Sequence, residues 1–192
     1  LQGSVAWPAT LLKGRPLQRR DLCWQQRTAS AHEQWLVIVD ASASTRRYQA
    51  LSKAKGLLAA LFDQAYRQRV RLTLLTASGN APRWQRHGLK ASAALQPWLD
   101  SLGAGGGTPL LGALAQARHW LEQRQRQHPD EQQRCLIVTD GRLKAWEPLQ
   151  PLPCPSLLVD IESSPVRLGR ARLLAQQIQA DYRSIESFSV VE

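Results

Sequence analysis

The residues best suited to chemistry lie in one short stretch, Val37-Ile38-Val39-Asp40-Ala41-Ser42-Ala43-Ser44-Thr45. An apolar run ends in an aspartate, with serines two and four positions later. One carboxylate and two hydroxyls are hard oxygen donors, suited to Mg²⁺, Mn²⁺ or Ca²⁺ and not to zinc or copper. Two further segments also carry oxygen side chains. Gly105-Gly106-Gly107-Thr108-Pro109-Leu110 sets a hydroxyl at a helix start, and Leu136-Ile137-Val138-Thr139-Asp140-Gly141 sets a carboxylate at a strand end. Singly, each has an ordinary structural explanation: Ser42, Ser44 or Thr108 as a helix cap, Asp140-Gly141 as a turn.

Other chemistries lack their parts. His32, His87, His119 and His128 fall in loops or on helices without triad spacing, so Ser42 and Ser44 have no base to activate them. The glycine-rich loop before Thr108 lacks the lysine of a phosphate-binding loop. Cys23, Cys135 and Cys154 are odd in number and not at metal-ligand spacing, which implies a reducing cytoplasmic setting without disulfides. The isolated chain is expected to be non-catalytic.

Bringing three such segments together requires alternating strands and helices. Apolar runs at 35–39, 70–76, 135–139 and 156–161 read as parallel strands buried on both faces. Helical spacing runs over 46–69, through Ala50, Leu51, Ala54, Leu57, Leu58, Leu61, Phe62 and Ala65. It recurs over 91–102, over 108–128 through Leu111, Leu114, Ala115, Ala117 and Leu121, and over 167–180 with Leu168, Ala171, Leu174, Ala175 and Ile178 inward. Thr108 is the expected cap of the third helix, with Pro109 in its first turn. Residues 83–86 suit an antiparallel edge strand, residues 182–187 a last short strand, and the four prolines of 147–155 mark a connector. The result is an α/β three-layer sandwich, Rossmann-like, with a mostly parallel sheet and one antiparallel edge strand. Residues 1–34, with an apolar helix near 5–12 and a short edge strand near 21–27, form an extension expected to pack on the main domain at 35–192.

The 192 residues suffice for one such domain. No apolar run approaches the ~20 residues that span a bilayer, and no signal peptide is visible. There is no Met, so Leu1 is not a translation start, and an upstream domain is compatible with the sequence. With 25 Lys+Arg against 15 Asp+Glu the net charge is +10. Lys is scarce and no aromatic-basic RNA motif is present, so the charge reads first as a generic Arg-rich and Gln-rich surface rather than a nucleic-acid site, and it would also suit an acidic protein partner.

The three segments together resemble the von Willebrand factor A family and its metal-ion-dependent adhesion site. The resemblance implies that Ser42, Ser44 and Thr108 supply hydroxyls and that Asp40 binds directly or through water. It implies that Asp140 acts through a water and holds the serines. One coordination position then stays open to an Asp or Glu of a protein partner. Two positions depart from the family pattern: Ala43 stands where Gly is usual and Thr45 where Met is usual. Within the family, the chain looks most like the carboxyl-terminal domain of the magnesium chelatase D subunit and related chelatase-associated proteins. That likeness rests on residues 5–11, on Ala54-Lys55-Gly56, and on Val138-Thr139-Asp140-Gly141-Arg142. It implies an accessory subunit that couples an AAA+ ATPase to a large magnesium or cobalt chelatase subunit in tetrapyrrole metal insertion. No AAA+ module lies in these residues. The competing expectation is a basic protein of the same fold that binds RNA or a nucleoprotein.

Overall fold

The computed structural model describes residues 4–5, 7–14, 18, 21–25, 33–41, 50–85, 89–90, 109–162 and 168–188. The chain divides into two compact units, residues 1–31 and 32–192. In the first, β1 (Ser4–Val5) pairs antiparallel with β2 (Trp24–Gln25), and α1 (Trp7–Leu12) follows β1. Buried Thr10 accepts the Cys23 amide at 3.0 Å, tying α1 to the start of β2. The strand expected near 21–27 is therefore half of a separate two-stranded ribbon, not an edge of the main sheet.

The second unit is built on β3 (Glu33–Asp40), β4 (Arg71–Ser78), β5 (Ala81–Trp84), β6 (Leu89–Lys90), β7 (Gln132–Thr139), β8 (Ser156–Asp160) and β9 (Asp181–Ser184). Its α-helices among the described residues are α2 (Ala50–Arg67), α3 (Leu110–Gln127) and α4 (Arg170–Gln177). The sheet order is β5-β4-β3-β7-β8-β9, and β6 also pairs with β4. All pairings between β4 and β9 along this path are parallel, whereas β5 and β6 run antiparallel to β4. The expected antiparallel edge is thus β5, lengthened by the two residues of β6.

Strand alternation sorts the core into two layers. Trp35, Val37 and Val39 of β3 meet Ala54, Leu58, Phe62 and Ala65 of α2 on one face. Leu36 and Ile38 meet Leu110, Ala113, Leu114 and Leu121 of α3, with Ala171, Leu174 and Ala175 of α4, on the other. Full burial of each such leucine contributes roughly 1.5–3 kcal/mol. The inward face of α3 differs from expectation, with Leu110 and Ala113 buried while Ala115 is exposed. That helix starts one residue later than expected, with Pro109 in the cap position. Leu168, expected inward, is half exposed because α4 begins only after the left-handed Gly169. The helix expected over 91–102 lies outside the described residues.

β7 begins three residues before its apolar run, at Gln132. Arg134 earns its place through a 2.8 Å ion pair with Glu33 of β3. Gln133 stands opposite Gln34 and is buried, and neither polar atom of its amide has a partner among the described residues. An unsatisfied buried amide is destabilising, whereas an apolar residue of similar shape is not. Gln133→Leu is accordingly expected to raise the unfolding free energy by ~1 kcal/mol in urea titrations.

Two residues after the last residue of α2 and of α4 stands a non-glycine residue in the left-handed region, Arg69 (φ 57°) and Gln179 (φ 55°). In each, the next amide reaches back five residues, Val70 to Ala65 and Ala180 to Ala175, both at 2.9 Å. Glycine is the natural residue at that position. Arg69→Gly should stabilise the fold by ~1 kcal/mol, read as a higher denaturation midpoint.

All three cysteines are free thiols. Burial pushes the Cys135 thiol well above its usual range, with the neighbouring Cys154 adding to the effect. Burial likewise raises Cys154 to about 11, against an opposing hydrogen bond from Ser156. Thiolates are the reactive form. At pH 8 both should therefore be alkylated by iodoacetamide about tenfold more slowly in the native protein than in urea, as read by mass spectrometry. No helix among the described residues is long and apolar enough to cross a membrane.

Candidate metal centre

The chain leaves β3 towards β4 on one side and returns through α3 to β7 on the other. The carboxyl ends of β3 and β7 therefore flank the topological switch point, where open α/β sheets bind ligands. Asp40 is the last residue of β3 and Asp140 directly follows β7. Asp40 is wholly buried and Asp140 is 4% exposed.

Thr139 joins them. Its hydroxyl donates to Asp40 Oδ2 at 2.8 Å and accepts the Gly141 amide at 3.0 Å. Asp140 Oδ1 accepts the Arg142 amide at 3.1 Å, which closes the turn around Gly141. Gly141 has φ +65°, and a Cβ placed on it would come within 2.6 Å of the Ala171 backbone nitrogen. The turn is thus pressed against the first residues of α4, a contact that only glycine allows. The Arg170 guanidinium donates to the Leu143 carbonyl and secures the same contact.

A further carboxylate pair lies one strand along. Asp160 ends β8 and accepts the Glu162 amide at 2.8 Å and the Tyr182 hydroxyl at 2.7 Å. Glu162 accepts the Leu168 amide on both oxygens, at 3.2 and 3.1 Å, and lies 3.7 Å from Arg142. These groups clasp the β8–α4 connection to the β7 turn. Sequence reading missed Thr139, Arg142 and Glu162. The signal for Thr139 was its position directly before Asp140, facing the same side as Asp40.

Of the five residues singled out for an ion, the structure brings Asp40 and Asp140 to one edge. Ser42, Ser44 and Thr108 lie outside the described residues. Among the described residues no three His, Cys, Asp or Glu side chains converge as a metal cage. The donors that do meet at the switch point are carboxylate and hydroxyl oxygens, the set that suits Mg²⁺ or Mn²⁺.

This architecture, a mostly parallel sheet between helices with carboxylates at its switch point, is the Rossmann-like α/β sandwich. Residues 35–142 match the von Willebrand factor type A domain, and the chain belongs to that family. Solved structures show the same fold at low sequence identity. Manganese-loaded TRAP protein of Plasmodium vivax aligns with a TM-score of 0.59 at 15% identity, covering 82% of this chain and 70% of that one. The VWA domain of SpRpn10 aligns with 0.56 at 12% identity, covering 80% and 88%. Proximal thread matrix protein 1 of the mussel byssus aligns with 0.57 at 15% identity; the match covers 83% of this chain but only 46% of that one. No curated protein is significantly similar in sequence.

Proposed function

We propose that the chain is a non-catalytic, metal-ion-dependent protein-interaction module. The observation that carries this reading is the pair of buried carboxylates, Asp40 and Asp140, set at the ends of β3 and β7 at the switch point, with the Thr139 hydroxyl donating to Asp40. Burying carboxylates is costly unless a countercharge or hydrogen bonds offset it. A divalent cation is the countercharge their oxygens suit. Asp40 and Asp140 would hold it together with the hydroxyls of Ser42, Ser44 and Thr108. When bound, the ion offers an open Lewis-acid position to a partner's Asp or Glu. The manganese-loaded relative in the same fold supports the choice of Mg²⁺ or Mn²⁺, with Ca²⁺ as a further candidate.

In its finer form the proposal makes the partner an AAA+ ATPase and the client a large magnesium or cobalt chelatase subunit, in the cytoplasm. Support for this comes from the motifs around Ala54-Lys55-Gly56 and Thr139-Asp140-Gly141-Arg142. The test is reconstitution of ATP-driven metal insertion with purified AAA+ and large chelatase subunits. Wild-type chain should restore insertion and Asp40→Ala should not. Equal activity with both, or with neither, would contradict the proposal. The alternative, RNA or nucleoprotein binding, is favoured only by the +10 charge. It predicts steeply salt-dependent RNA binding that ignores Asp40→Ala.

A further inference from the structure

We propose that the groove between α4 and the segment following β7 docks an acidic, amphipathic segment of a partner protein. One apolar side chain of that segment packs on Trp146 and Leu173, and its carboxylates meet Lys144 and Arg170. The groove measures about 500 Å³ and is lined by Ala145, Trp146, Arg170, Leu173, Gln176 and Gln177. That space admits a large side chain but remains open along its length, which suits a peptide better than an enclosed small molecule.

An isolated exposed leucine needs no explanation. Leu173, however, is 55% exposed and lies beside the half-buried Trp146. On α4 it shares a side with Arg170 and Gln177, at helical spacing. The groove is also rigidly built. Gln177 Oε1 accepts the Trp146 indole at 2.8 Å and the Leu149 amide at 3.4 Å, fixing the facing wall to the helix. The bond from Arg170 to the Leu143 carbonyl fixes its other end. Preformed walls lower the ordering cost of binding.

Charge selects the occupant. Arg170 lines the groove and exposed Lys144 directly precedes its wall at Ala145; neither is paired with a carboxylate among the described residues, and the acidic residue next in the chain to that wall is exposed Glu147. In a chain of net charge +10, this local excess favours an acidic partner over a basic one. Gly141 packs on Ala171 and Arg170 bonds the Leu143 carbonyl, so the Arg170 end of the groove adjoins the turn that follows Asp140. The inference deepens the metal-dependent reading and rests on it for the claim that one partner engages both.

The experiment uses the whole chain and fluorescein-labelled peptides of about 16 residues, read by anisotropy at roughly 0.15 M salt. One peptide carries leucines at helical spacing among glutamates. A second replaces the leucines by serine, and a third replaces the glutamates by lysine. The Glu/Leu peptide should bind, and the other two about tenfold more weakly or worse. Leu173→Glu and Lys144→Glu, both on exposed side chains, should each weaken it about tenfold while melting like wild type. Equal binding of the serine peptide, indifference to Leu173→Glu, or no binding at all would overturn the groove. Repeating the titration in EDTA separates the two readings. Binding that survives EDTA but falls with Leu173→Glu supports the groove even if the ion site fails. Binding that vanishes in EDTA and ignores Leu173→Glu keeps the ion site and removes the groove.

Discussion

Asp40→Asn is expected to erase the stabilisation that Mg²⁺ gives this protein, while leaving the ion-free form folded. The two effects have one cause. Asp40 is fully buried, so its charge carries a desolvation cost in the absence of a cation. Asparagine keeps an oxygen to accept the Thr139 hydroxyl, now 2.8 Å from Oδ2, and removes the charge. A ligand bound only to the native state stabilises it by ~2.7 kcal/mol at a hundredfold excess over Kd. For a domain of this size that is a rise in Tm of roughly 5–10 °C. Wild type should show that rise in melts with and without Mg²⁺, and Asp40→Asn should show none. A rise of equal size in both proteins would place the ion elsewhere.

Gly141→Ala should be among the most damaging single changes in the chain. The residue has φ +65°, a conformation costing an L-residue ~1–2 kcal/mol. The added Cβ would also sit 2.6, 2.7 and 2.9 Å from the nitrogen, Cβ and Cα of Ala171. Overpacking of this kind costs ~1–3 kcal/mol more. Together these give a loss of roughly 2–5 kcal/mol, or about 5–15 °C in Tm. Because Asp140 is the neighbouring residue, the Mg²⁺-dependent rise should shrink as well. Adding Ala171→Gly should not restore stability, since two of the three close approaches are to backbone atoms. Full rescue by that double change would show that the clash is with the Ala171 side chain alone.

The sequence made the sheet legible where its strands are apolar throughout. Trp35 to Val39 and Cys135 to Thr139 are buried on both faces, and such runs announce themselves. Their polar beginnings did not. Gln34, Gln133 and Arg134 belong to strands because of the registers that pair them, and a register is a relation between distant segments. The hairpin between β4 and β5 was tighter than expected. Gly79, at φ +69°, turns the chain so sharply that Ala81 already pairs with Ser78. Helix α4 was overextended because Leu168 and Ile178 continue its apolar spacing beyond the residues that are helical. In the candidate site, Asp40 and Asp140 were legible as acids closing apolar strands. The Thr139 bridge and the Glu162 clasp were not. A hydroxyl and a carboxylate at strand ends look alike in sequence whether they face the switch point or hold a loop.

The most direct test of the ion site is a calorimetric titration of the whole chain with Mn²⁺ and with Mg²⁺, comparing wild type with Asp40→Ala and Thr108→Ala. Saturable binding of one ion by wild type, lost in Asp40→Ala and weakened at least about tenfold in Thr108→Ala, is the predicted result. Wild-type protein that binds neither ion, even with acetate supplied as the missing carboxylate, would contradict it, as would unchanged binding in Asp40→Ala.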